Sequence, residues 1–165
     1  MKIKLIFISL LFTILSFSQQ NRKAFTLEIA ANENQQYEAE IPESPYFVHD
    51  KILQIYCGEK VFVECEILGD TISKMKIVEK NINIKRTIEI ELTQDSNDRK
   101  NINTMLQIKN PFEKDLIYQA IMLTPKSQDW KKTSTIPVRA NLISFETWPH
   151  SIISLALDNW KFKNP

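Results

Sequence analysis

The sequence predicts an all-β fold, a sandwich or barrel, and three observations carry that prediction. Apolar residues recur at every second position along most of the chain. Short clusters of turn-forming residues, such as ENQQ, GEK, LGD and QDSNDRK, separate these runs. No segment carries a sustained helical stripe, and only the last one leaves strand against helix open. About seven to nine short strands at such spacing build an antiparallel sandwich.

In chain order, the first element lies outside that fold. Residues 1–18 resemble a secretory signal peptide, with Lys2 and Lys4 as a basic start, an apolar stretch from Leu5 to Phe17, and the small residues Ser16 and Ser18 before the cleavage point. The apolar stretch falls short of the about 20 residues that cross a bilayer. Cleavage is therefore expected near Ser18/Gln19, with no transmembrane anchor in the mature chain and a periplasmic or extracellular product. No cysteine follows that point to accept a lipid. Residues 19–165 are expected to form a single β-sandwich domain, long enough to bury a core without disulfides.

Alternation begins at Phe25, Leu27 and Ile29, and returns at Tyr37, Ala39 and Ile41 before the Pro42-to-Pro45 turn. Leu53, Ile55 and Cys57 follow, then Val61, Val63, Cys65 and Ile67. Ile82, Ile84, Ile88, Ile90 and Leu92 share one parity and predict a long strand; Ile102, Leu106 and Ile108 predict the next. LIYQAIML (residues 116–123) is apolar on both parities apart from Gln119, as a central strand covered on both faces would be. In SIISLALDNWKF, the alternation of Ile153, Leu155 and Leu157 favours a strand over a short helix.

Composition removes several activities from consideration. Without Lys2 and Lys4, the 21 basic residues against 20 acidic become 19 against 20, a formal charge of −1 with no clustered basic surface for nucleic acid. The chain has only 2 glycines, Gly58 and Gly69, neither in a phosphate-cradling frame, which argues against a nucleotide cofactor. No cofactor is predicted. His49 and His150 are the sole histidine bases, and no serine sits in a nucleophile elbow, so a hydrolase would need a site assembled in space. Acidic residues fall on strand positions expected to be exposed, or in loops, and no glycosidase pair can be picked out.

Cys57 and Cys65 are the remaining chemical candidates. In an exported protein, two cysteines suggest a disulfide. If GEK closes a hairpin, however, the two share a face about 13 Å apart along the ladder, beyond the about 7 Å a bridge tolerates between Cα atoms. A bridge then requires that the flanking strands do not form a simple hairpin. Buried free thiols packed as small apolar groups are the leading reading. The spacing is not a zinc pattern, and no metal is predicted.

GEKVFVEC, residues 58–65, resembles the second strand of immunoglobulin-like domains, with Gly58, Val61, Val63 and Cys65 on the pattern. Asp115, Tyr118 and Ala120 are similar to the region where those domains carry an acidic residue, a corner tyrosine and a second cysteine. The resemblance implies an immunoglobulin-like antiparallel β-sandwich, with Tyr118 reaching a backbone partner near a sheet corner. Ala120 replaces the cysteine, Asp115 lies one residue too close to Tyr118, and no tryptophan follows Cys65 at the usual distance. The bridge typical of antibodies is thereby ruled out.

The role expected of such a chain is recognition. Asn110-Pro111-Phe112 forms a turn in which Phe112 either packs inward or grips a ligand. Trp130, Trp148 and His150 lie in polar loops, and Trp160 near the C-terminus; their rings either plug the sandwich ends or stack on a ligand. The leading expectation is an exported, non-catalytic binding or accessory protein that meets an envelope or extracellular protein through end loops or a sheet edge. The predicted edges are the 82–92 strand and the N-terminal strand. The alternatives are a glycan-binding module using at least two exposed, roughly coplanar tryptophans, and a hydrolase built around His49 or His150.

Overall fold

The computed structural model describes residues 20–96, 101–127 and 129–163. The expected signal peptide lies outside the described residues. Fourteen strands follow one another with no helix among the described residues: β1 (Asn21–Arg22), β2 (Phe25–Ala30), β3 (Gln36–Ile41), β4 (Ser44–Pro45), β5 (Phe47–His49), β6 (Ile52–Tyr56), β7 (Lys60–Leu68), β8 (Thr71–Val78), β9 (Thr87–Asp95), β10 (Asn103–Lys109), β11 (Leu116–Leu123), β12 (Lys131–Thr133), β13 (Ile143–Trp148) and β14 (Ser154–Phe162). Two 5-stranded antiparallel sheets dominate, in the orders β13-β10-β9-β7-β8 and β12-β11-β14-β6-β5, and β1-β4 and β2-β3 form 2-stranded sheets beside them.

The period-two pattern sets what is buried. Val61, Val63 and Cys65 of β7, Ile88, Ile90 and Leu92 of β9, and Leu106 and Ile108 of β10 point inward from the first sheet. Leu53 and Ile55 of β6, Leu116, Tyr118, Ala120 and Met122 of β11, and Leu155 and Leu157 of β14 point inward from the second. These side chains form one continuous cluster, the core of a β-sandwich. Each fully buried Leu or Ile contributes about 1.5–3 kcal/mol relative to exposure. The β2–β3 hairpin adds Leu27, Ile29 and Ile41 to the same cluster. The Gln94 side chain holds its end, donating to the Ala30 carbonyl at 3.0 Å and accepting the Ala30 N–H at 2.9 Å.

Several expectations need correction. The segment Cys57–Glu59 is a crossover between sheets: β6 lies in one and β7 in the other. Gly58, at φ 91°, donates its N–H to the Leu92 carbonyl at 2.7 Å, and Leu92 returns a bond to Glu59 at 3.0 Å. A hairpin fails there because β6 finds its neighbour in β14, Leu155 opposite Ile55. The strand expected over 82–92 begins at Thr87, and Ile82 and Ile84 are exposed in the preceding loop. The Asn83 carbonyl ends that loop by accepting the Arg86 N–H at 2.9 Å and the Thr87 hydroxyl at 2.8 Å. Nor is β9 an edge; it lies between β7 and β10. In β11 one parity is buried throughout, while Ile117, Ile121 and Leu123 are only half-buried, so the strand is covered fully on one face.

The last segment is a strand, β14, interrupted by a bulge where Asn159, at φ 55°, is inserted opposite Tyr118. Asn tolerates the left-handed region that the bulge imposes. Below it, Trp160 stacks on Tyr118 with ring centroids 5.2 Å apart.

Candidate functional site

The two large sheets have four edges, and three carry the features that keep edges from pairing with other chains. β12 and β5 are 3 residues long, β12 with Lys131 and Lys132 and β5 with a register shift against β6. β8 presents exposed Lys74 and Lys76 and a register shift against β7. β13 has no lysine and no register shift, and its one charge, Glu146, is turned inward and paired. It is 6 residues, ISFETW, without lysine or proline, paired only to β10 from Thr104↔Trp148 to Lys109↔Ile143.

Its two faces differ. Ile143 and Phe145 point outward and stay 47% and 53% exposed, and Leu142, just before the strand, and Ile136, near its start, are exposed as well. Farther across the same outer face, the sheet carries ion pairs Lys109–Glu89, Lys60–Glu91 and Lys76–Glu64. The apolar side chains therefore gather at the unpaired edge and give way to charge toward the sheet centre.

The inner face of β13 is fastened to the opposite sheet. The Glu146 carboxylate accepts the Tyr118 hydroxyl at 2.6 Å and the Ile136 N–H at 2.9 Å. Burial, with Glu146 beside it, pushes the Tyr118 phenol far above its ordinary value, so it remains the donor. The Trp148 indole N–H donates to Thr133 Oγ1 at 3.0 Å. These bonds span the sandwich and hold β13 in place while leaving its outer flank open.

Beside the start of β13 lies a cleft of about 370 Å³ with Ile136, Leu142 and Ile143 among its walls and Arg139, Lys163 and Asp115 around them. A separate cleft of about 500 Å³ opens at one end of the sandwich, lined by Asn32, Glu33, Asn103, Lys126 and His150 among others.

The sequence-predicted residues scatter. Phe112 is buried, its ring edge-to-face with Phe162 at 5.1 Å, and offers no face to a ligand. Tyr118 bonds a side chain, Glu146, where a backbone partner was expected. Trp160 is buried, Trp148 is half-buried, and Trp130 alone of the three is exposed. His49 is exposed on β5. His150 lines the end cleft, where burial and then Lys126 hold its imidazole below the ordinary value. Its neighbour Ser151 gives its hydroxyl to the Ala30 and Ala31 carbonyls, and no serine–histidine bond forms there. Cys57 and Cys65 are free, buried thiols, pushed by burial up to about 11 and about 12. No group of metal-ligating residues and no helix long and apolar enough to cross a membrane occurs among the described residues.

Sequence reading missed β13 as an edge. It does not make ISFETW a strand and puts Trp148 in a loop, and only the pairing of strands distant in sequence shows that the segment lies at an edge. No family model, curated protein or solved structure matches this chain.

Proposed function

We propose that this chain is an exported, non-catalytic accessory protein of the cell envelope that meets a protein partner by accepting an extended segment of it along β13. The observation that carries the reading is the contrast among the four edges of the two large sheets. Three are short, lysine-bearing or irregular, while β13 is regular and apolar with Ile143 and Phe145 on its open flank. Strand addition at such an edge gains main-chain hydrogen bonds, and the alternate side chains supply selectivity. The mechanism is recognition, with no turnover.

The immunoglobulin-like type draws support from one feature: β7 and β11, which carry the two resembling patches, lie in opposite sheets, as the second and sixth strands of those domains do. The strand order speaks against it. In those domains the second strand pairs with the fifth after the chain has visited the other sheet, whereas β7 pairs with β8 and β9, all consecutive in one sheet.

The test is chemical cross-linking of the mature protein in its native envelope, followed by purification and mass spectrometry. One stoichiometric protein adduct, lost in an Ile143→Lys/Phe145→Lys variant, is the expected result. Glycan recovered without protein, or an adduct indifferent to the variant, contradicts the reading.

A further inference from the structure

The cleft at the start of β13 specifies what kind of strand the edge takes, an inference that rests on β13 being the docking edge. Asp115 is the one acid in the cleft lining, and its carboxylate is already engaged: Oδ1 accepts the Ala140 N–H at 3.0 Å and Oδ2 the Arg139 Nη1 at 3.3 Å. That leaves most of the Arg139 fork open, on a side chain 73% exposed. The Lys163 ammonium forms no ion pair among the described residues. Two cations against one satisfied carboxylate make this cleft a place for a further negative charge beside apolar walls.

Direction follows from the sheet. Every pairing in it is antiparallel, so a strand that continues it beside β13 runs opposite to β13. The C-terminal end of that strand then lies at Ile143, next to the cleft. We propose that β13 receives, antiparallel, an extended segment of another protein with alternating apolar residues followed on its C-terminal side by an aspartate or glutamate. The apolar side chains cover Ile143 and Phe145, and the carboxylate is held by Arg139 and Lys163.

A second copy of this chain pairing through its own β13 does not fit as well. Self-pairing centred on Ser144 sets Ile143 opposite the other copy's Phe145, but it offers no carboxylate to the cleft. The only acid of β13, Glu146, is turned inward to Tyr118 and Ile136. The cations would then stay unmatched.

The test selects short random peptides, displayed on phage, against the full mature chain. The selected sequences are then assayed as acetylated, amidated peptides. The expected result is enrichment of alternating apolar residues ending in Asp or Glu. Binding should be lost in Phe145→Lys and weakened about tenfold or more in Arg139→Gln/Lys163→Gln. Peptides that need Phe145 but are indifferent to the Arg139→Gln/Lys163→Gln pair overturn the acidic requirement and leave the edge reading standing. Peptides indifferent to Phe145→Lys, or no enrichment at all, overturn both. A concentration-dependent dimer abolished by Phe145→Lys makes the occupant a second copy and overturns the proposal.

Discussion

Arg22 and Glu59 form a bidentate ion pair inside the fold, Nε to Oε1 at 2.9 Å and Nη2 to Oε2 at 3.0 Å. The guanidinium is 1% exposed and lies over the rings of Tyr46 and Tyr56, 4.5 and 4.7 Å from their centroids. Its other donors reach Ser44 Oγ at 3.1 Å and the Gln54 carbonyl at 2.8 Å, and Glu59 also accepts the Tyr56 N–H at 2.7 Å. The pair thus ties the start of the described chain to the β6–β7 crossover.

Removing one partner strands the other. Arg22→Met is expected to lower stability by about 3–5 kcal/mol, because Glu59 is left buried without its counter-charge. Arg22→Lys should rescue little, since an ammonium cannot reproduce the fork or lie flat between two rings. Urea midpoints of the two variants check this; an unchanged midpoint for Arg22→Met would refute it.

Asn110 organises the turn ahead of β11. Its amide donates to the carbonyls of Lys114, Val138 and Arg139 at 2.8, 3.0 and 3.1 Å, and its oxygen accepts the Phe112 N–H at 2.9 Å. Asn110→Ala removes these bonds; the Val138 and Arg139 carbonyls keep the Leu116 and Leu142 N–H groups, so the loss falls on the Lys114 carbonyl and the buried Phe112 N–H and is expected to cost about 1–3 kcal/mol. Calorimetry of the variant, compared with a Glu113→Ala control on the exposed side of the same turn, measures it.

Alkaline pH should destabilise the fold. The thiols ionise near 9 when exposed, but burial holds Cys57 up to about 11 and Cys65 up to about 12. Above 9 the folded state retains protons that the unfolded state releases, so stability is complete below that pH and falls as pH rises through these values. Tyr118, raised by burial and Glu146, acts with the same sign above its ordinary 10. Urea midpoints followed from neutral to strongly alkaline pH should fall, and fall less steeply in Cys57→Ala/Cys65→Ala. Native thiols should also resist alkylation near neutrality.

The sandwich was legible where alternation and burial agree. Val61, Val63 and Cys65, and equally Leu106 and Ile108, lie inward as their parity requires. Alternation misled at Ile82 and Ile84, which continue the parity of β9 while the chain is still turning in solvent. It was silent wherever the decisive partner is remote. GEK reads as a hairpin loop until Ile55 is found opposite Leu155, and nothing near Arg22 in the sequence announces Glu59. The candidate edge belongs to the same class: exposure of Phe145 depends on β10 taking one side of β13 and no strand taking the other.

Substitution at that edge separates recognition from stability. Ile143→Lys and Phe145→Lys replace exposed side chains, so each should change stability by no more than about 0.5 kcal/mol. Edge lysines oppose strand addition, and partner binding should be lost. Denaturation and binding measured on the same samples decide whether the two properties part as expected.

The most direct measurement places a photoreactive phenylalanine analogue at Phe145 and, as a control, at Leu68, which is exposed at the end of β7, beside the far edge strand β8 of the same sheet. Irradiation in the native envelope should give one discrete protein adduct from position 145 and none from position 68. No adduct at 145, or the same adduct from both positions, would contradict β13 as the docking edge.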